Sequence, residues 1–280
     1  MTHNSALIEA EQLKNNPCVI LDASFVMPGA PLSARESFER EHIPGARFFD
    51  IESVSDHNTD LPHMLPNADA FAAAVAALGI SNDTTVIIYG QNGIVMGPAR
   101  VWWMFRAFGH KDVRVLNGGL PAWKSAGLPT ESVPAPIPAP GTYSAKLNSA
   151  LVRDMAAIKR IADDGSAQML DARSAERFSG KVAEPRPGLR AGHIPGSVNI
   201  PCMNLVDVQG KLKPKQELAT IFESNGINPG SPLVTTCGSG VTACVIALAL
   251  YELGYPDVPV YDGSWSEWGR ETSGTKVATA

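Results

Sequence analysis

The chain has 280 residues, 44% of them hydrophobic and 18% charged, with a net charge of −5 at neutral pH. That length suits two domains or one large one, and no apolar run approaches the ~20 residues of a membrane span. An integral membrane protein is therefore not expected, and the acidic balance, without a dense basic patch, argues against nucleic acid as partner.

The four cysteines, Cys18, Cys202, Cys237 and Cys244, form no CxxC pair, and the six histidines join none of them at zinc spacing. Reduced thiols are therefore expected, with no disulfide scaffold, no metal and no other cofactor. The first twenty residues set Glu9 and Glu11 against one lysine and hold no long apolar core, so the expected location is cytoplasmic.

In chain order, β-branched runs predict strands at Val19–Asp22, Val86–Tyr89 and Arg114–Leu116, with helical patterns at Asp69–Leu78 and Pro98–Phe108 between them. Pro129–Gly141 then carries five prolines in thirteen residues, which cannot sustain a helix and reads as an extended linker. Beyond it come strands at Met169–Asp171, Leu233–Thr236 and Val258–Tyr261, and helices at Lys215–Asn225 and Ala243–Leu253. This alternation predicts an α/β fold, a parallel sheet flanked by helices in each half.

Short signatures recur in the same order. Val19-Ile-Leu-Asp-Ala-Ser returns as Gln168-Met-Leu-Asp-Ala-Arg, and Glu41-His-Ile-Pro-Gly-Ala as Gly192-His-Ile-Pro-Gly-Ser. Val86-Ile-Ile-Tyr-Gly matches Leu233-Val-Thr-Thr-Cys, and Asn117-Gly-Gly-Leu-Pro-Ala-Trp matches Asp262-Gly-Ser-Trp-Ser-Glu-Trp, at offsets of 145 to 151 residues. The chain is a tandem duplication: domain 1 over residues 1–130, a proline-rich linker over 131–145, and domain 2 over 146–280. Cys237 aligns with Gly90, so only the second copy can supply a nucleophile there.

Cys237 stands where the strand breaks into Cys-Gly-Ser-Gly-Val-Thr and a helical pattern begins at about Thr242. Gly238 and Gly240 let the backbone fold with N–H groups inward, and a helix start adds partial positive charge, an arrangement that stabilises a thiolate. A small buried hydrophobe at a strand end is the other reading of a free cysteine. Cys244, inside the apolar helix, reads as structural. The His-Ile-Pro-Gly copies read as loop anchors, and so does His63 taken by itself.

Together these residues resemble the two-domain rhodanese superfamily over nearly the whole chain. The supporting segments are Ala99-Arg-Val-Trp-Trp-Met-Phe-Arg-Ala-Phe-Gly, His63-Met-Leu-Pro and Pro259-Val-Tyr-Asp-Gly-Ser-Trp. Within the superfamily the loop looks like that of members using 3-mercaptopyruvate, whereas those using thiosulfate typically carry Cys-Arg-Lys-Gly-Val-Thr. The resemblance implies tandem rhodanese-like domains, the first non-catalytic, and an enzyme that moves sulfur through a Cys237 persulfide to a thiol such as thioredoxin, a small thiol or cyanide.

It also implies substrate binding by Arg177 and Arg186 together with Gly238, Gly240, Val241 and Thr242 of the loop, and proton transfer assisted by Ser239, His63 and an acid. Guanidinium groups suit an α-keto carboxylate because they bind it bidentately. The acid falls at Glu52, one methylene longer than the family's Asp.

Three other readings are set against this one. A thiosulfate:cyanide sulfurtransferase would share the chemistry, and a non-enzymatic sulfane-sulfur carrier or sensor would share the loop. A cysteine phosphatase needs an arginine six residues after its nucleophile, where this chain has Ala243.

Overall fold

The protein is seen in a computed structural model that describes residues 5–13, 17–26, 30–133, 136, 138–228 and 230–280. Pro134, Ala135 and Ile137 of the expected linker lie outside the described residues. Two compact units are present. One comprises Met1–Ser55, Pro66–Asn148 and Val206–Leu212, the other Asp56–Leu65, Ser149–Leu205 and Lys213–Ala280.

The first unit holds β1 (Leu7–Ile8), β2 (Val19–Asp22), α1 (Ala34–Arg40), β3 (Arg47–Phe48), α2 (Ile51–Val54), α3 (Ala68–Ala77), β4 (Val86–Tyr89), α4 (Met96–Ala107), β5 (Val113–Leu116) and α5 (Gly119–Ser125). Its five strands are all parallel in the order β1-β5-β4-β2-β3. Strands covered on both faces read as continuous apolar runs rather than alternating ones, and all four residues of β4 are buried. The helix behind them, α4, is buried at every position except Met96 and Arg106.

The unit runs to Asn148 because the chain after the prolines docks on it. The Gly141 N–H donates to Ala76 O at 2.8 Å, in a spot where a Cβ would meet the Ile80 carbonyl oxygen at 2.2 Å. Residues Val206–Leu212 are held in the same unit: the Leu212 N–H donates to Asn117 Oδ1 and Lys211 Nζ to Glu9 Oε2, both at 2.9 Å.

The second unit repeats the plan with β6 (Val152–Arg153), α6 (Met155–Asp164), β7 (Gln168–Asp171), α7 (Ala175–Phe178), β8 (Ser197–Asn199), α8 (Lys215–Ser224), β9 (Leu233–Thr236), α9 (Ala243–Glu252), β10 (Val260–Tyr261) and α10 (Ser264–Trp268). Its parallel order, β6-β10-β9-β7-β8, is that of the first sheet. β10 starts two residues later than its apolar run, since Pro259 has no N–H to give a ladder. Residues Asp56–Leu65 belong here, fixed by the Leu65 N–H on Asp262 Oδ2 at 2.7 Å and by Arg270 on Asp60 at 2.9 Å.

In both sheets the last residue of one strand faces the last of the next: Asp22 opposite Tyr89, and Asp171 opposite Thr236. Gly90 and Cys237 therefore leave equivalent carboxyl-terminal strand ends, where ligands bind in open parallel sheets.

Candidate active site

Cys237 is 1% exposed, at the end of β9. Its N–H donates to Ser264 Oγ at 3.1 Å, and its carbonyl accepts from the Trp265 N–H at 3.0 Å. The Gly238 carbonyl accepts from both the N–H and the hydroxyl of Ser266, at 2.8 and 2.7 Å. Gly240 turns the loop with φ of 74°, in the left-handed region that glycine enters freely, and its carbonyl accepts from Cys244 Sγ at 3.2 Å. α9 follows from Ala243, where the apolar pattern predicted it, with Thr242 as its N-cap. Among the described residues no acceptor meets the N–H groups of Gly238, Ser239, Val241 and Thr242. These backbone donors are left for a ligand, and N–H groups of a loop leading into a helix are the kind an anionic sulfur engages.

A buried ionic relay runs beside the loop. Arg173, next but one after β7, is fully buried. It donates from Nε and Nη2 to Asp171, the shortest contact being 2.6 Å, and lies 4.3 Å over the Trp265 ring. Its Nη1 reaches Glu184 at 2.9 Å. The same Glu184 carboxylate, 1% exposed, receives Arg177 through Nε at 3.2 Å and Nη2 at 2.5 Å. Burial opposes the Arg173 charge, but Asp171 and Glu184 outweigh it and hold that guanidinium above its ordinary pKa.

Arg177 lies against the loop: a Cβ built on Gly238 would stand 3.0 Å from its Nη2. Cys202 also feels this corner. Burial and the neighbouring Cys237 push its thiol up to about 12, against a smaller downward pull from Arg177.

Arg186 Nη2 lies 3.2 Å from Nε2 of His63, which is buried with φ of 61°. The structure thus brings Cys237, Gly238, Ser239, Gly240, Val241, Thr242, Arg177, Arg186 and His63 into one unit. Glu52 belongs to the first unit, exposed in the first turn of α2. Sequence reasoning missed Arg173, Glu184 and Ser264. Glu184 offered no local signal, but Arg173 and Ser264 each stood inside one of the repeated signatures. Among the described residues no group of three or more His, Cys, Asp or Glu side chains could hold a metal ion.

A family model for the rhodanese-like domain matches residues 7–126 and again 154–271. The chain belongs to the rhodanese family. It is 45% identical to 3-mercaptopyruvate sulfurtransferase of Rattus norvegicus, over 94% of this chain and 90% of that protein. It is also 45% identical to thiosulfate sulfurtransferase of the same organism, over 90% of this chain and 84% of that one. The crystal structure of SseA from Escherichia coli, a 3-mercaptopyruvate sulfotransferase of the rhodanese fold, superposes with a TM-score of 0.85 at 39% identity, covering 94% of this chain and 100% of that chain.

The first rhodanese repeat keeps the frame without the nucleophile. Gln91 folds over the strand ends, donating to Asp22 Oδ2 at 2.7 Å and to the Glu41 carbonyl at 2.8 Å. A Cβ at Gly90 would stand 3.2 Å from the Ile94 carbonyl and 3.3 Å from Pro98. Burial raises the pKa of Asp22, although bonds from Ser24 and Gln91 pull the other way.

The duplicated histidines do the same job in both repeats. His42 Nδ1 sits 2.7 Å from the Phe38 carbonyl with its ring stacked on Phe38, and His193 Nδ1 sits 2.8 Å from the Phe178 carbonyl with its ring stacked on Phe178. Both are loop anchors.

Proposed function

We propose that the chain is a sulfurtransferase that takes sulfur from 3-mercaptopyruvate onto Cys237 and passes it to a thiol or to cyanide, the second unit being catalytic and the first not. The observation that carries this is the uncharged Cys237-Gly-Ser-Gly loop with the Arg177 guanidinium laid against Gly238. A cation anchored against the loop rather than within it suits a donor with a single carboxylate; a dianion such as thiosulfate gains most from charges inside the loop itself.

In the first half-reaction the Cys237 thiolate attacks the sulfur of 3-mercaptopyruvate. The S–S bond forms as the carbon–sulfur bond breaks, and the electron pair leaves with the three-carbon fragment as the enolate of pyruvate, which takes a proton. Arg177 and Arg186 hold the keto acid, and Ser239 and His63 assist that proton transfer. In the second half-reaction an acceptor thiolate, of thioredoxin or a small thiol, or cyanide, attacks the outer sulfur and the Cys237 thiolate departs. The loop donors serve the thiolate and the terminal persulfide anion in turn, so one cradle supports both steps. A persulfide carrier needs its thiols reduced, and all four cysteines are free, which suits a reducing compartment such as the cytoplasm.

Identity equal to that with 3-mercaptopyruvate sulfurtransferase links the chain to a thiosulfate sulfurtransferase, so thiosulfate is the second donor to weigh. Steady-state assays with the two donors in parallel and one thiol acceptor decide. A kcat/KM for 3-mercaptopyruvate well above that for thiosulfate is expected; the reverse order would overturn the donor assignment.

A further inference from the structure

We infer that Ser264 is a positioning residue for Cys237, an inference that rests on Cys237 being the sulfur-carrying nucleophile. Among the described residues only two that are not glycine have positive φ, and Ser264 is one of them, at 49°. Its counterpart in the duplicated Asn117–Trp123 segment is Gly119, at 54°. Both copies thus need a left-handed residue at this point. The first copy fills it with glycine, which enters that region freely, and the second with a residue that does so against its Cβ. A strained backbone kept where glycine would serve points to what the side chain does.

The hydrogen bonds show what that is. In each copy the residue after this position donates its N–H to the residue that follows the central strand: Leu120 to Gly90 O, and Trp265 to Cys237 O, both at 3.0 Å. That bond belongs to the shared frame.

The second copy adds one from a side chain. Ser264 Oγ, fully buried, gives its proton to the Tyr261 carbonyl at 2.7 Å and so turns a lone pair to the Cys237 N–H at 3.1 Å. Thr236 Oγ, on the residue before Cys237, stands 3.4 Å from the same oxygen. With its N–H taken by residue 264 and its carbonyl by residue 265, the Cys237 backbone is held on both sides. The thiol then leaves a fixed Cα toward the loop donors, and the Cys237 N–H is not one of them. Ser264 acts on the sulfur only through this backbone, in the one copy that has a sulfur to aim.

The test is Ser264→Gly in the full chain, because glycine relieves the backbone while deleting the acceptor, so stability and activity should move apart. The melting temperature should equal or exceed that of the wild type. The kcat for pyruvate release from 3-mercaptopyruvate should fall about three- to tenfold, the worth of one hydrogen bond, with KM within about twofold. Ser264→Ala should show the same kinetic loss with a lower melting temperature.

Iodoacetamide alkylation of Cys237, followed by peptide mass spectrometry, should slow in both variants. This measurement needs no donor, so it decides on Ser264 even if the wild type transfers sulfur from neither donor, a result that would sink the functional reading instead. Full kcat and an unchanged alkylation rate in Ser264→Gly would overturn the inference. So would a kinetic loss confined to the variant that melts early.

Discussion

Arg177 spends Nε and one N–H of Nη2 on Glu184, and no other acceptor among the described residues meets its guanidinium. Three of its five N–H donors therefore remain for a carboxylate. Arg177→Ala should raise KM for 3-mercaptopyruvate and lower kcat/KM by roughly 10- to 150-fold, what charge-assisted hydrogen bonds of about 1.5–3 kcal/mol are worth. Glu184→Gln should lose part of that by releasing the side chain from its anchor. In the double variant the Glu184→Gln loss should disappear, because the residue it steadies is gone. Steady-state kinetics of the four proteins check this; independent, additive losses would show that Glu184 supports the unit rather than Arg177.

The active loop between β9 and α9 was legible in the sequence because its signals are local: a β-branched run, two glycines and an apolar helix. The same holds for β2, β4 and β7, whose apolar runs match the observed strands to within a residue. The outer strands β1, β3, β6 and β8 were not legible, since two or three residues carry no periodicity and owe their conformation to the neighbour they pair with. α1 was not read, although it starts on a local signal, the Ser33–Glu36 capping box. Arg173 and Glu184 could not be read, because an ionic relay exists only once the chain between β7 and β8 has folded back.

At the scale of the loop, Gly238 is required less for its φ than for the space it leaves to Arg177. Gly238→Ala should shift that guanidinium by a few tenths of an ångström, raising KM for 3-mercaptopyruvate severalfold at nearly unchanged melting temperature. An unchanged KM would mean that the donor carboxylate sits elsewhere.

Across the whole molecule one plan is built twice and only one copy is armed. The duplicate strand orders and the paired histidine anchors preserve the frame, while Gly90, Gln91 and Gly119 replace the groups that in the second copy present and aim a thiol. No helix among the described residues is long and apolar enough to cross a membrane. The remaining thiols are poor carriers: burial raises the pKa of Cys18 and pushes Cys202 up to about 12, and Cys244 is buried in α9 with its Sγ bonded to Gly240 O.

The chain should therefore load one sulfur, at one place. Intact-protein mass spectrometry after 3-mercaptopyruvate without an acceptor should show a single added sulfur atom that peptide mapping places on Cys237 and that a folded Cys237→Ser variant lacks, with sulfur transfer down at least about a thousandfold. Two added sulfurs, or one on Cys18, Cys202 or Cys244, would contradict the account.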